Sequence, residues 1–155
     1  MKNAPITNSN ESAPDKANYT AGALPKRMNT VTADVLAMLL EGRSLTGLEG
    51  VFKQSTTRLA AYINYLQRDY GWKFESTSLV AGTNDGRIAH ISSYWLPSAV
   101  IASAFEAGSR DWINKVKQAR AVRKQHANSC KSKAAKLNAA RLTDPRQINL
   151  WEGKQ

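Results

Sequence analysis

Apolar residues recur at helical spacing in three successive stretches, and the pattern then changes to alternation. In TVTADVLAMLLEG, residues 30–42, Val35, Met38 and Leu39 share one face; Thr32 is placed to cap the start and Gly42 to end the run. Leu48, Val51 and Phe52 then fall at i, i+3 and i+4, which predicts a short second helix. Lys53 to Thr56 interrupt it with polar residues. Leu59, Tyr62, Ile63 and Leu66 form the stripe of a third helix, over about residues 55–69, with Gly71 just past its end. Arg43 to Leu45 serves as the link from first to second helix, and Thr46 and Ser55 are each placed to cap the helix that follows. After Gly71, Trp72, Phe74, Ser76, Ser78 and Val80 alternate with Lys73, Glu75, Thr77 and Leu79. Asn84-Asp85-Gly86 is a tight-turn signal, and Arg87 to Trp95 follows it with aromatic and β-branched residues. The pattern predicts a β-hairpin from about Trp72 to Trp95.

On either side the pattern is looser. Residues 1–29 are rich in Asn, Ser, Ala and Pro, with Pro5, Pro14 and Pro25 spread through them. So few apolar groups do not offset the entropy of ordering, and a disordered leader is expected. Pro97 suits the first turn of a helix. From Ser98 to about Gln125, Ile101, Phe105, Trp112, Val116 and Ala119 lie near one stripe, with Gly108 weakening the middle. This helix either completes the core of one chain or pairs two copies of it. Residues 126–155 read as a basic, flexible tail. The expected class is α+β: a leader (1–29), a domain of three helices plus a hairpin (30–96), a helix (97–125) and the tail (126–155).

Charge adds a partner. The 155-residue chain carries a net +10. Residues 31–96 hold six basic and six acidic groups, whereas residues 97–155 hold twelve basic and four acidic ones. Such asymmetry points to a polyanion, DNA before RNA or an anionic membrane, though a basic tail also aids solubility. The third helix has a back that fits this partner. Gln54, Thr57, Ala61, Asn64 and Arg68 lie opposite its apolar stripe, with Arg58 and Tyr65 on the edge. Small, amide and guanidinium groups on one face suit a helix in a DNA major groove; a plain solvated face would have the same pattern.

Each candidate contact has its own chemistry. Thr56, Thr57 and Arg58 sit at the expected helix start, where unpaired amides and the helix dipole favour a phosphate. Arg58 can alternatively address a guanine edge, Asn64 an adenine, and Ala61 leaves room for close approach. Arg87, at the hairpin turn, is placed for a minor groove. Arg68 and Lys73 suit phosphates. Lys115, Lys117, Arg120, Arg123 and Lys124, followed by Lys131, Lys133, Lys136 and Arg141, would add sequence-independent phosphate contacts.

The order of these segments carries a resemblance. LLEGRSLTGLEG, RLAAYINYLQRDYGWKFES and DGRIAHISSYWLP resemble a small winged-helix family common in bacteriophage and prophage proteins. The shared features are the Leu45-Thr46 start of the second helix, the Arg-Leu-Ala-Ala-x-Ile-x-x-Leu core from Arg58 to Leu66, Gly71 before the strand, and a short wing. The likeness spans about residues 31–96. One departure is Tyr62, where the family often has a basic residue. The resemblance implies a winged helix-turn-helix fold and double-stranded DNA as partner, and no target sequence. A second resemblance lies in the tail. Gln147-Ile148-Asn149-Leu150-Trp151 is similar to the peptide by which bacterial polymerases and repair proteins bind the replicative sliding clamp, with Gln147 at the rim and Leu150 and Trp151 as anchors. Ile148, Leu150 and Trp151 can equally fold back as an apolar patch.

Other chemistries find little support. His90 and His126 are isolated, and no metal-ligand spacing, phosphate loop, nucleophile elbow or dinucleotide fingerprint occurs. No enzyme activity, metal or cofactor is expected. The single cysteine, Cys130, forms no internal disulfide. No apolar run is long enough to span a membrane, and the N-terminal residues lack the apolar core of a secretory signal. The expected location is the cytoplasm of a bacterium or of a phage-infected cell. Two functions follow: a DNA-binding regulator of phage or prophage type, and a replication-associated protein that recruits or blocks the clamp.

Overall fold

Eight consecutive buried residues, Ala33 to Leu40, make α1 (Val31–Leu40) the centre of the fold. The computed structural model describes residues 20–142, without the side chains of Phe52 and Gln54. The cap of α1 is Thr30 and not Thr32: the Thr30 hydroxyl accepts from the Ala33 amide at 3.2 Å. Strand β1 (Leu45–Thr46) follows, then α2 (Gly47–Gln54), α3 (Leu59–Tyr70), β2 (Glu75–Gly82), β3 (Ile88–Trp95), α4 (Ser98–Glu106), α5 (Ser109–Gln125) and α6 (Ala127–Leu142). The class is α+β, with six helices and a three-stranded antiparallel sheet of order β1-β3-β2 among the described residues.

The third helix forms as its stripe predicts. Leu59, Ile63 and Leu66 are buried against α1, and Gly71 ends the helix in the left-handed conformation. Its start lies later than expected. Ser55 does not cap α3; it closes α2, at φ 55. The Thr56 hydroxyl accepts the Arg58 amide at 3.2 Å, and regular helix begins at Leu59. Thr46 does cap α2, in a reciprocal capping box with Glu49. Lys53 lies 2.7 Å from the Glu49 carboxylate, and this hydrogen bond chiefly holds that carboxyl below the usual range.

The face expected to bury α2 does not do so. Leu48 is 62% and Val51 40% exposed. The buried contact is instead at Gly50, where an added Cβ would come within 3.3 Å of the Leu59 Cβ. The helix backbone approaches α3 too closely for large side chains at that point. Phe52, the third residue of that predicted face, lies outside the described side chains.

The link between first and second helices contains a strand. Leu45 pairs with Tyr94 and Thr46 with Ser93, so β1 joins the hairpin at its base. The β2–β3 register runs from Glu75↔Trp95 to Gly82↔Ile88. At the tip the Thr83 amide donates to the Arg87 carbonyl at 2.8 Å, around Asn84-Asp85-Gly86 as expected. The hairpin projects past the helices. All of β2 except Ala81 is exposed, so alternation there does not mark a half-buried sheet. The apolar anchors are Trp72 and Leu96, which flank the strands.

Gly108, at φ 86, divides the predicted 97–125 helix into α4 and α5. Val100 and Ala104 from α4 and Trp112, Ile113 and Val116 from α5 join the same core as α1. Ile101, Phe105 and Ala119, the other residues of the expected stripe, are half-buried.

Part of the expected disordered leader is structural. Residues 20–29 form a strap across α3, α4 and α5. Four hydrogen bonds hold it: Ala21 amide to Ser103 Oγ at 3.3 Å, Ala23 amide to Tyr70 carbonyl at 2.7 Å, Trp72 Nε1 to Ala23 carbonyl at 2.8 Å and Trp112 Nε1 to Pro25 carbonyl at 3.0 Å. A Cβ on Gly22 would lie 2.5 Å from the Tyr70 carbonyl and 2.7 Å from Trp72 Cγ, so only glycine fits there. Leu24 and Met28 pack against the core. Two indole donors thus make an order that the strap's own composition does not predict. Residues 1–19 lie outside the described part of the chain.

Helix α6 is exposed along its whole length and buries none of its residues. No helix among the described residues is long and apolar enough to cross a membrane.

Candidate functional site

The exposed side of α3 gathers most of the residues selected from the sequence. Thr57, Arg58, Ala61, Asn64 and Arg68 are all exposed, opposite the buried Leu59, Ile63 and Leu66. Ala61, Asn64, Tyr65, Gln67 and Arg68 line a shallow depression on this face. Arg58 stands at the N-cap, and its side chain has no ion-pair partner among the described residues. Thr56 is a correction. It is 8% exposed and its hydroxyl accepts from the Arg58 amide, so it initiates α3 from the interior and does not stand on the exposed face. The Gln54 side chain lies outside what is described.

Two selected arginines are held by adjacent aspartates. Arg68 meets Asp69 with Nε–Oδ1 at 2.6 Å and Nη2–Oδ2 at 3.0 Å. Arg87, at the hairpin tip, meets Asp85 through Nε at 2.7 Å. In both pairs the arginine hydrogen bond is the main cause that holds the carboxyl below its ordinary range, so both aspartates are ionised at neutral pH. A phosphate at either arginine would compete with a carboxylate already there. Lys73 is exposed between α3 and β2.

The basic residues of α5 divide into two sets. Lys115 and Lys124 are exposed and unpaired among the described residues. Lys117, Arg120 and Arg123 join α5 to the other helices, so a phosphate at any of them would compete with a partner already there. Lys117 pairs with Glu41. Arg120 donates to the Lys53 carbonyl at the end of α2 and lies 3.7 Å from Met38 Sδ. Arg123 pairs with Asp34, whose carboxylate is 5% exposed and has one oxygen, Oδ1, without a protein partner. The cause is geometric: these side chains lie one helical turn apart on the side of α5 that rests on α1. Lys131, Lys133, Lys136 and Arg141 remain exposed around α6. They do not share one face, because positions 131, 133, 136 and 141 point in different directions around a helix.

Sequence reasoning missed Lys26 and Arg27. They fell within the expected leader, and the strap brings them beside the end of α3. Both are exposed, and together with Tyr65, Asp69 and Tyr70 they border a groove of about 590 Å³. Tyr65 and Tyr70 meet edge to face with ring centroids 5.5 Å apart, and the hydrogen bond with Tyr65 chiefly raises the Tyr70 phenol above its ordinary range. The paired Trp72 and Trp112 were the available signal, since buried indoles require acceptors from somewhere in the chain.

Gln147, Ile148, Leu150 and Trp151, the expected clamp-binding residues, lie outside the described part of the chain. Among the described residues no three His, Cys, Asp or Glu side chains are grouped to hold a metal ion. No protein-family model, curated protein or solved structure matches this chain.

Proposed function

We propose that this chain is a non-enzymatic DNA-binding protein of the winged helix-turn-helix type, with α3 as the helix that enters the major groove. The observation that carries this reading is the exposed face of α3. It offers Arg58, Ala61, Asn64 and Arg68, with Tyr65 exposed at its edge. An arginine and an asparagine are the side chains that make paired hydrogen bonds to guanine and adenine edges. The order helix, strand, two helices and hairpin supports the same reading, as does the β1-β3-β2 sheet. In that arrangement α2 and α3 meet through the tight Gly50–Leu59 contact, and the hairpin extends as the wing that bears Arg87.

Affinity and recognition fall on different elements. Residues 31–96 are electrically neutral, so α3 contributes selectivity with little net attraction. The long-range attraction comes from α6, whose cations lie on all sides and thus require no fixed register with the phosphates. Fluorescence anisotropy with a random duplex over a series of salt concentrations tests this division. The intact chain is expected to bind with a steep inverse salt dependence. A variant with Lys131, Lys133, Lys136 and Arg141 all changed to Ala should show a slope flatter by up to about 3.6 in log Kd against log salt. An unchanged slope would remove α6 from the interface.

A further inference from the structure

We propose that the strap is a second, rigid element of the DNA-binding face, with Lys26 and Arg27 binding the phosphate backbone beside the groove that α3 enters. The inference rests on the DNA-binding reading and extends it to a segment outside the three helices and hairpin.

Three observations support it. The first is position. The groove bordered by Lys26, Arg27, Tyr65 and Tyr70 adjoins the depression on α3, and Tyr65 lines both. A strand of a duplex seated on Asn64 and Arg68 therefore continues over Tyr65 toward the two strap cations. The second is availability. Arg68 and Arg87 are each held by an aspartate, whereas Lys26 and Arg27 have no ion-pair partner among the described residues. Asp69, the carboxylate in the same groove, is already engaged through both oxygens by Arg68. The strap cations can thus meet a phosphate without first breaking a pair. The third is rigidity. The Ala23 and Pro25 carbonyls accept from buried Trp72 and Trp112, and the Ala23 amide donates to the last residue of α3. Lys26 and Arg27 consequently keep a fixed backbone position relative to α3. Cations fixed in this way set the register of a protein on a duplex, whereas those of α6 supply attraction alone.

The test compares the full chain with Lys26→Ala/Arg27→Ala in anisotropy titrations on one duplex across salt. Both side chains are exposed, so the variant is expected to fold, and a thermal melt by circular dichroism checks this. Loss of two phosphate contacts should flatten the log–log salt slope by about 2 and weaken binding about tenfold at moderate salt. Lys26→Glu/Arg27→Glu should weaken it further. If the full chain binds DNA and the alanine variant retains its slope and affinity, the strap is not part of the interface and the proposal fails alone. If the full chain binds no duplex, the DNA-binding reading and this proposal fall together.

Discussion

Trp72→Ala is expected to destabilise the protein by about 3–5 kcal/mol, as removal of a large aromatic from a packed core does. Trp72 is 1% exposed, and its ring fills the space that Gly22 leaves by lacking a side chain. The substitution opens a cavity under the hairpin and also leaves the Ala23 carbonyl without its indole donor, which releases the strap. Urea unfolding followed by circular dichroism measures the loss. Released backbone should also become open to proteolysis between residues 20 and 29, before global unfolding. A loss below about 1 kcal/mol would contradict both the packing and the role of the strap in the core.

Arg123→Ala is expected to cost about 3 kcal/mol, the lower part of the range for breaking a buried ion pair, because the guanidinium is itself partly exposed. The large effect comes from Asp34. With 5% exposure and one oxygen already lacking a protein partner, its carboxylate has little compensation once Arg123 is removed. Asp34→Asn in the Arg123→Ala background should recover much of the loss, since a neutral amide is less costly to bury than an unpaired charge. Denaturant midpoints of the two single variants and the double variant give the coupling directly. Equal stability of Arg123→Ala and the intact chain, joined to a loss of DNA affinity, would return Arg123 to the phosphate-contacting set.

These two residues also mark what the sequence makes legible and what it does not. Periodicity identifies α3 because one face of it is buried, at Leu59, Ile63 and Leu66, whereas α1 is buried on every side from Ala33 to Leu40 and its three-residue stripe understates this. The tight turn at Asn84-Asp85-Gly86 is legible because it is determined locally. Periodicity fails at Leu48 and Val51, since α2 meets α3 through the Gly50 backbone and helical spacing does not reveal which side approaches. The strap escapes notice because its order comes from indole donors 49 and 87 residues away in sequence. Charge suffers a similar loss. A net charge counts cations but not their partners, and Arg120 and Arg123 find theirs 67 and 89 residues away. In the candidate site, the exposed back of α3 was legible as the complement of its apolar stripe. Lys26 and Arg27 were not, because nothing local ties them to that helix.

The most direct test of the proposed function is selection of bound sequences from a randomised duplex pool, run in parallel with the intact chain and Arg58→Ala/Asn64→Ala. The expected result is one enriched motif with the intact chain, and loss of that enrichment in the variant while binding to random duplex persists, because base contacts specify and phosphate contacts do not. Binding without enrichment by the intact chain, or the same motif from both proteins, would contradict the assignment of α3 as the element that reads the groove.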